Sequence, residues 1–251
     1  MINLIYAELY KLWKNRSVLA IGALSLIPFV FAFMVSLNLK SMKIADSAFS
    51  LLTYPQSMWQ FVYGFYLPIL VMTYLSCSLG RELKNGSLVY EVTRVANRKK
   101  IVYARMLTIV LLNLAYFLVF QLVSILSYML FINNTRFGNG LGTFQNDYVE
   151  ILLSLFTLLL QMILCLLTFV LSIKFSAIIS VMISLVISIL ISLCSGITVI
   201  RDFIPGTVFY GSQFFSDSRL QIVMFEQSIE IILLIVLAVF VSQSLFKKVS
   251  I

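Results

Sequence analysis

Side chains able to do acid–base, nucleophilic or metal chemistry are scarce in this chain. Histidine is absent, which removes His-dependent general bases, HExxH zinc chemistry and Ser-His hydrolysis. Cys77, Cys165 and Cys194 fall in apolar runs without paired spacing, and so read as small core or lipid-facing residues. No G-x-x-x-x-G-K-[ST] occurs that could cradle a nucleotide. Phe137 to Gly142 is glycine-rich but does not match GxGxxG, and reads as a flexible turn. What remains is charge and hydrogen bonding, and the charge is concentrated. Gly80 to Arg105 holds 7 of the 18 basic residues and 2 of the 10 acidic ones. Leu83, Ser87, Tyr90 and Arg94 share roughly one helical face there. A short helix projecting from the membrane fits this pattern, and a solvated basic loop is the alternative reading.

A second concentration opens the chain. From Asn3 to Arg16, Leu4, Ile5, Leu9, Leu12 and Trp13 recur near helical spacing, while Glu8, Lys11, Lys14 and Arg16 supply polar faces. Glu8 and Lys11 are spaced to pair across one helical turn. The segment, about 3–16, is expected to lie on the membrane as an interfacial helix.

Hydroxyls and amides make up the third set. Ser172, Ser176, Ser180, Ser184, Ser188 and Ser192 recur every fourth residue. Small residues at this spacing let helices approach closely. Packing is the favoured reading, and a polar strip lining a path is the alternative. Asn113, Gln121 and Gln161 are the notable amides within apolar runs. Proton or ion relays at that depth need Asp, Glu or His, so an ion-coupled transporter is disfavoured.

The elements that must position these groups follow from composition. The chain has 251 residues, 61% hydrophobic and 11% charged, against about 25% charged in soluble domains. Only a bilayer can solvate so much apolar surface. A span needs about 20 apolar residues, and six segments qualify: about 17–39, 59–80, 106–132, 151–173, 175–200 and 222–246. The expected architecture is an all-α membrane protein forming one domain over 1–251. The start does not read as a cleavable signal peptide.

Charge sets the orientation. Thirteen Lys and Arg residues fall in the N-terminal segment, the 80–105 loop, Lys174 and the C-terminal end, against five at Lys40, Lys43, Arg136, Arg201 and Arg219. The positive-inside rule then places both termini in the cytoplasm. It also accounts for the net charge of +8 without nucleic acid. Between Arg201 and Glu226 the outer loop is too apolar to be solvated, and short half-buried helices are expected around Pro205-Gly206 and Gly211.

Taken together, these residues resemble the permease subunit of an ABC-2-type transporter. In that family a short amphipathic helix with an E-L-x-K flavour opens the chain, as Ala7-Glu8-Leu9-Tyr10-Lys11-Leu12 does here. The second span is followed by E-x-x-x-G-[ST]-L, matched by Glu82, Gly86, Ser87 and Leu88. A small-polar-Arg step and a basic residue entering the third span come next, as Ala96-Asn97-Arg98 and Arg105. The family's usual Pro-Ser-Arg is altered here, and its usual lysine is Arg105.

The resemblance implies a coupling helix between spans 2 and 3 that docks on a separate ATPase subunit, with Glu82, Arg94 and Arg98 at the joint. It implies no cofactor on this chain and ATP-Mg on the partner, so this chain itself is not expected to be an enzyme. It further implies a second permease copy or paralogue, short extracellular helices before the last span, and the plasma membrane of a bacterium. The scarcity of charge along the spans suits an amphipathic or hydrophobic substrate, lipid-like or peptide, and the chain resembles small permeases that export peptides or confer bacteriocin immunity, such as those for phenol-soluble modulins. A non-transport assembly or sensor subunit is the alternative.

Overall fold

The structure is a computed structural model, and it describes residues 2–14, 18–37, 46–84 and 98–248. The described residues are helical, with one isolated bridge between Phe49 and Gly138 and no strand. Helix α1 (Ile2–Lys14) precedes α2 (Val18–Ser25) and α3 (Ile27–Ser36). Then come α4 (Thr53–Gly64), α5 (Leu67–Lys84) and α6 (Arg98–Ser127), which runs on into a π turn at Tyr128–Ile132. The rest is α7 (Phe144–Lys174), α8 (Ala177–Cys194), the short α9 (Thr207–Gly211) and α10 (Asp217–Lys248).

Four helical stretches are long and apolar enough to cross a membrane, Lys100–Ile132, Asp147–Lys174, Ala177–Cys194 and Arg219–Ser244, and α4 with α5 makes a fifth if the bent pair is one span. This differs from six straight spans in two places. The expected first span is broken at Leu26, where Pro28 occupies the first turn of α3. Proline cannot donate to the ladder, so the helix restarts there. Its apolar helical stretch, Ile21–Ser36, rises only about 24 Å, short of the roughly 30 Å of hydrocarbon. The expected second span, about 59–80, is two helices meeting at 67°. The break falls at Phe65 and at Tyr66, whose φ is +58°, a left-handed value costly for a bulky side chain. Pro68 follows in the first turn of α5.

Helix α7 is the hub. In its apolar stretch 67% of the residues are buried, against 22–33% in the other long helices. It packs on α4, α5, α6, α8 and α10. On one face it carries Ser154, Thr157, Gln161, Cys165, Thr168 and Ser172, all 1% exposed or less. The 3–4 spacing of these groups holds them on one side of the helix. Several are bonded across helices: Trp59 Nε1 to Thr157 Oγ1 at 2.7 Å, Gln161 Nε2 to Asn113 Oδ1 at 2.9 Å, and Thr168 Oγ1 with Ser184 Oγ at 2.6 Å.

The loops at the α7 N-terminal end are tied together. Ser47 N donates to Arg136 O at 2.9 Å, Phe49 N to Phe137 O at 3.0 Å, and Asn139 N to Phe49 O at 2.7 Å. Tyr128 OH donates to Gly140 O at 2.8 Å from inside the bundle. So the turn read from Phe137 to Gly142 is pinned against the segment that leads into α4.

Helix α8 is short, and the chain beyond it folds back along the bundle instead of leaving it. The turn before α9 places Gly206 beside the middle of α7, with φ +100°. A Cβ there would stand 2.9 Å from the Leu160 Cδ atoms and 3.1 Å from Ile191 Cγ2. Gln227 of α10, fully buried, satisfies the backbone of this turn. Gly206 N donates to its Oε1 at 3.0 Å, and its Nε2 donates to Arg201 O at 3.1 Å and Thr207 Oγ1 at 3.0 Å. Irregular backbone at membrane depth survives only when protein supplies its partners. Gly206→Ala is expected to destabilise the purified chain by about 1–3 kcal/mol through backbone strain, read as a lowered melting temperature in detergent. An unchanged melting temperature would show that the turn has another conformation open to it.

Candidate coupling site at the base of the helices

Helices α5 and α6 end and begin on either side of the segment 85–97, so the basic loop is bracketed by Lys84 and Arg98. Gly86, Ser87 and Arg94 lie outside the described residues, as does the expected coupling helix. Glu82 sits in the last turn of α5 and Arg98 at the first position of α6.

Arg105 lies about two turns further into α6. Its side chain is completely buried. Nε donates to Glu8 Oε1 at 3.1 Å, and Nη1 donates to the carbonyl of Leu79 at 2.7 Å. Leu79 belongs to the last turns of α5, where the helix carbonyl end favours a cation. One guanidinium therefore ties together α1, the end of α5 and the start of α6. Arginine suits this because its fork offers several donors in fixed directions and stays charged when buried. Lys11 Nζ stands 3.6 Å from Glu8 Oε2, the expected one-turn pair.

These contacts correct the sequence reading at three residues. Arg105 was expected on the coupling loop, but it is inside the helix and faces inward. Glu8 was expected on a polar face of α1, but it is only 5% exposed. Trp13 was expected beside Leu12 on the apolar face, yet Leu12 is buried and Trp13 is exposed with Tyr6 and Tyr10. The physical reason is shared. Glu8 turns inward because Arg105 waits there, and the rotation of α1 that this requires sends Tyr6, Tyr10 and Trp13 outward. Those three form an aromatic face spaced at i, i+4 and i+7, suited to a headgroup layer.

Higher in the bundle, Ser180, Ser184 and Ser188 are buried and Ser176 is the exposed N-cap of α8. Ser184 bonds Thr168, and Ser188 Oγ is 3.0 Å from Tyr210 OH. The serines face helix α7 and the α9 turn, which is the packing arrangement. Gln121 is half-buried and exchanges weak bonds with Gln56, 3.3 and 3.4 Å long, and Gln56 also accepts from Ser154.

Sequence reasoning missed Gln56, Thr157 and Gln227. The 3–4 recurrence of polar residues from Ser154 to Ser172 was a readable signal for Thr157, whereas Gln56 lies on α4 without such a pattern. Gln227, in contrast, sits beside Glu226 and looks like part of a polar helix end. Among the described residues no three acidic, Cys or His side chains gather as a metal set.

A bundle of long apolar helices bearing a clamp at one end, with an apolar interior bonded mainly through hydroxyls and amides, is the architecture of a multi-pass membrane protein. Residues 4–192 match the ABC-2 family transporter protein, and the chain belongs to that family. It is accordingly a permease component of an ABC transporter, the part that lacks the ATPase site. No curated protein and no solved structure matches the chain.

Proposed function

We propose that this chain is the permease of an ATP-driven exporter in a bacterial plasma membrane, with six crossings and both termini in the cytoplasm. It pairs with a second permease and two ATPase subunits, and the 85–97 segment docks on the ATPase through Glu82, Arg94 and Arg98. The substrate is an amphipathic peptide or a lipid-like molecule, a reading supported by an interior seam without acidic or basic groups between Ser154 and Ser172.

The observation that carries the proposal is the Glu8–Arg105–Leu79 clamp. A loop pushed by ATPase closure moves the bundle only if its two ends are joined to one another and to the membrane surface. Arg105 joins both ends, and α1 sets the joint at the interface. Rigid-body rocking of the helices then follows from motion of the loop.

The test is co-expression with an ABC ATPase encoded beside the chain. Copurification is expected, with ATP hydrolysis reduced severalfold in the Glu82→Ala/Arg98→Ala variant. Copurification and hydrolysis unaffected by the double substitution would move the joint elsewhere. No association with any such ATPase would overturn the exporter reading.

A further inference from the structure

We propose that the groove between α7, α8 and α10 is a binding site for one acyl chain of a bilayer phospholipid. The groove has a volume of about 350 Å³, within the range of small-molecule pockets, roughly 300–1,000 Å³. Every one of the fourteen described residues that line it is Leu, Ile, Val, Ala or Pro. Among the described residues no side-chain donor or acceptor lines it, so a peptide backbone or a sugar would leave its polar groups unpaired there. The chemistry admits hydrocarbon alone.

Length and depth narrow hydrocarbon to a lipid tail. The floor runs from Leu160 to Val170 on α7 and the far wall from Ile231 to Val241 on α10. Ten residues of helix rise about 15 Å, the thickness of one leaflet's share of a roughly 30 Å hydrocarbon core. One end is closed by Ile204 and Pro205, held at the middle of α7 by the Gly206 turn. Lys174 ends α7, about 21 Å from Leu160 by the same rise, close to half of a whole bilayer of about 40–45 Å. The groove thus begins at the bilayer centre and opens toward the Lys174 surface.

Charge at that surface is complementary to a phosphate. Lys174, at the end of the floor helix α7, is exposed. The mouth is lateral. Leu234, Leu237 and Val241 are 38–57% exposed, while α7 packs closely on both α8 and α10. A tail enters sideways from the leaflet while its phosphate remains beside Lys174. This site lies apart from the Arg105 clamp and requires no particular transported substrate.

The experiment uses the full chain in vesicles of phosphatidylglycerol doped with a phosphatidylglycerol carrying a mid-chain diazirine. After irradiation, adducts are mapped by mass spectrometry. Labelling of the 231–241 and 160–170 peptides is expected to exceed that at Leu118 and Leu122, exposed positions of α6, by at least fivefold. Ala238→Phe fills the groove and should reduce the excess to parity, leaving Leu118 and Leu122 unchanged. If that variant fails to fold, Leu237→Trp at the mouth makes the same test. Equal labelling at all these positions overturns the site. A groove labelled less than Leu118 and Leu122 also overturns it, and means that a second copy of the chain covers this face.

Discussion

Arg105→Ala is expected to lose about 3–5 kcal/mol of stability, the usual cost of removing one partner from a buried ion pair. Three losses coincide. The Glu8 carboxylate, on a residue only 5% exposed, loses its buried guanidinium and keeps the more exposed Lys11, the Leu79 carbonyl loses a cation, and α1 loses this tie to α6. Melting of the purified chain in detergent reads the loss directly. Glu8→Leu/Arg105→Met should recover most of it, since a well-packed apolar pair is often as stable as the buried charges it replaces. The same double variant separates folding from coupling. With the guanidinium gone, the bond from the start of α6 to the Leu79 carbonyl at the end of α5 is lost, so ATPase activity of the assembled complex should be uncoupled from transport although the protein is folded. Full transport in the double variant would reduce the clamp to a packing device.

Trp59→Ala should be equally costly, about 3–5 kcal/mol for a buried aromatic. Trp59 is wholly buried. Its ring meets Phe117 at 4.9 Å and Phe120 at 5.3 Å, both edge to face, and Tyr116 at 5.5 Å. Edge-to-face pairs add about 0.5–1.5 kcal/mol beyond burial. The indole also donates to Thr157 on the hub helix, so one side chain joins α4, α6 and α7 just before the 67° bend. Trp59→Phe keeps most of the ring contacts and loses the donor. It should cost about 1–3 kcal/mol, the penalty for a buried acceptor left without its bond. Equal melting temperatures for the two variants would show that the Thr157 bond, and not ring volume, holds α4 in place.

The sequence was most legible where one physical constraint acts alone. Apolar runs of bilayer length in α6, α7 and α10 follow from hydropathy, because a lipid solvent leaves a long helix few alternatives. The turn at Pro205-Gly206 and the short helix beyond it were readable from the apolar character of Phe203 to Phe215. Positions where two constraints compete were not. Pro28 and Pro68 lie inside apolar runs, so hydropathy argues for continuity while the backbone restarts at each. Glu8 illustrates the limit of local pattern. On its own helix it belongs with Lys11, and its deeper partner is 97 residues away. Pairing across that separation has no signature in periodicity, and it decides which side of α1 faces the bundle.

That separation also has a consequence in time. A ribosome releases the N-terminus first, so α1 emerges long before Arg105 exists. Until the third apolar segment has been threaded into the bilayer, Glu8 has no guanidinium to receive it, and α1 can rest on the lipid only as an unanchored helix. The loop from Ser47 to Leu51 waits in the same way for Arg136 to Gly140. Both ends of the bundle are therefore closed by residues made late, so a chain stalled or truncated before its third segment is left unlatched at both ends of the bundle, a form that proteolytic surveillance can distinguish from the finished protein.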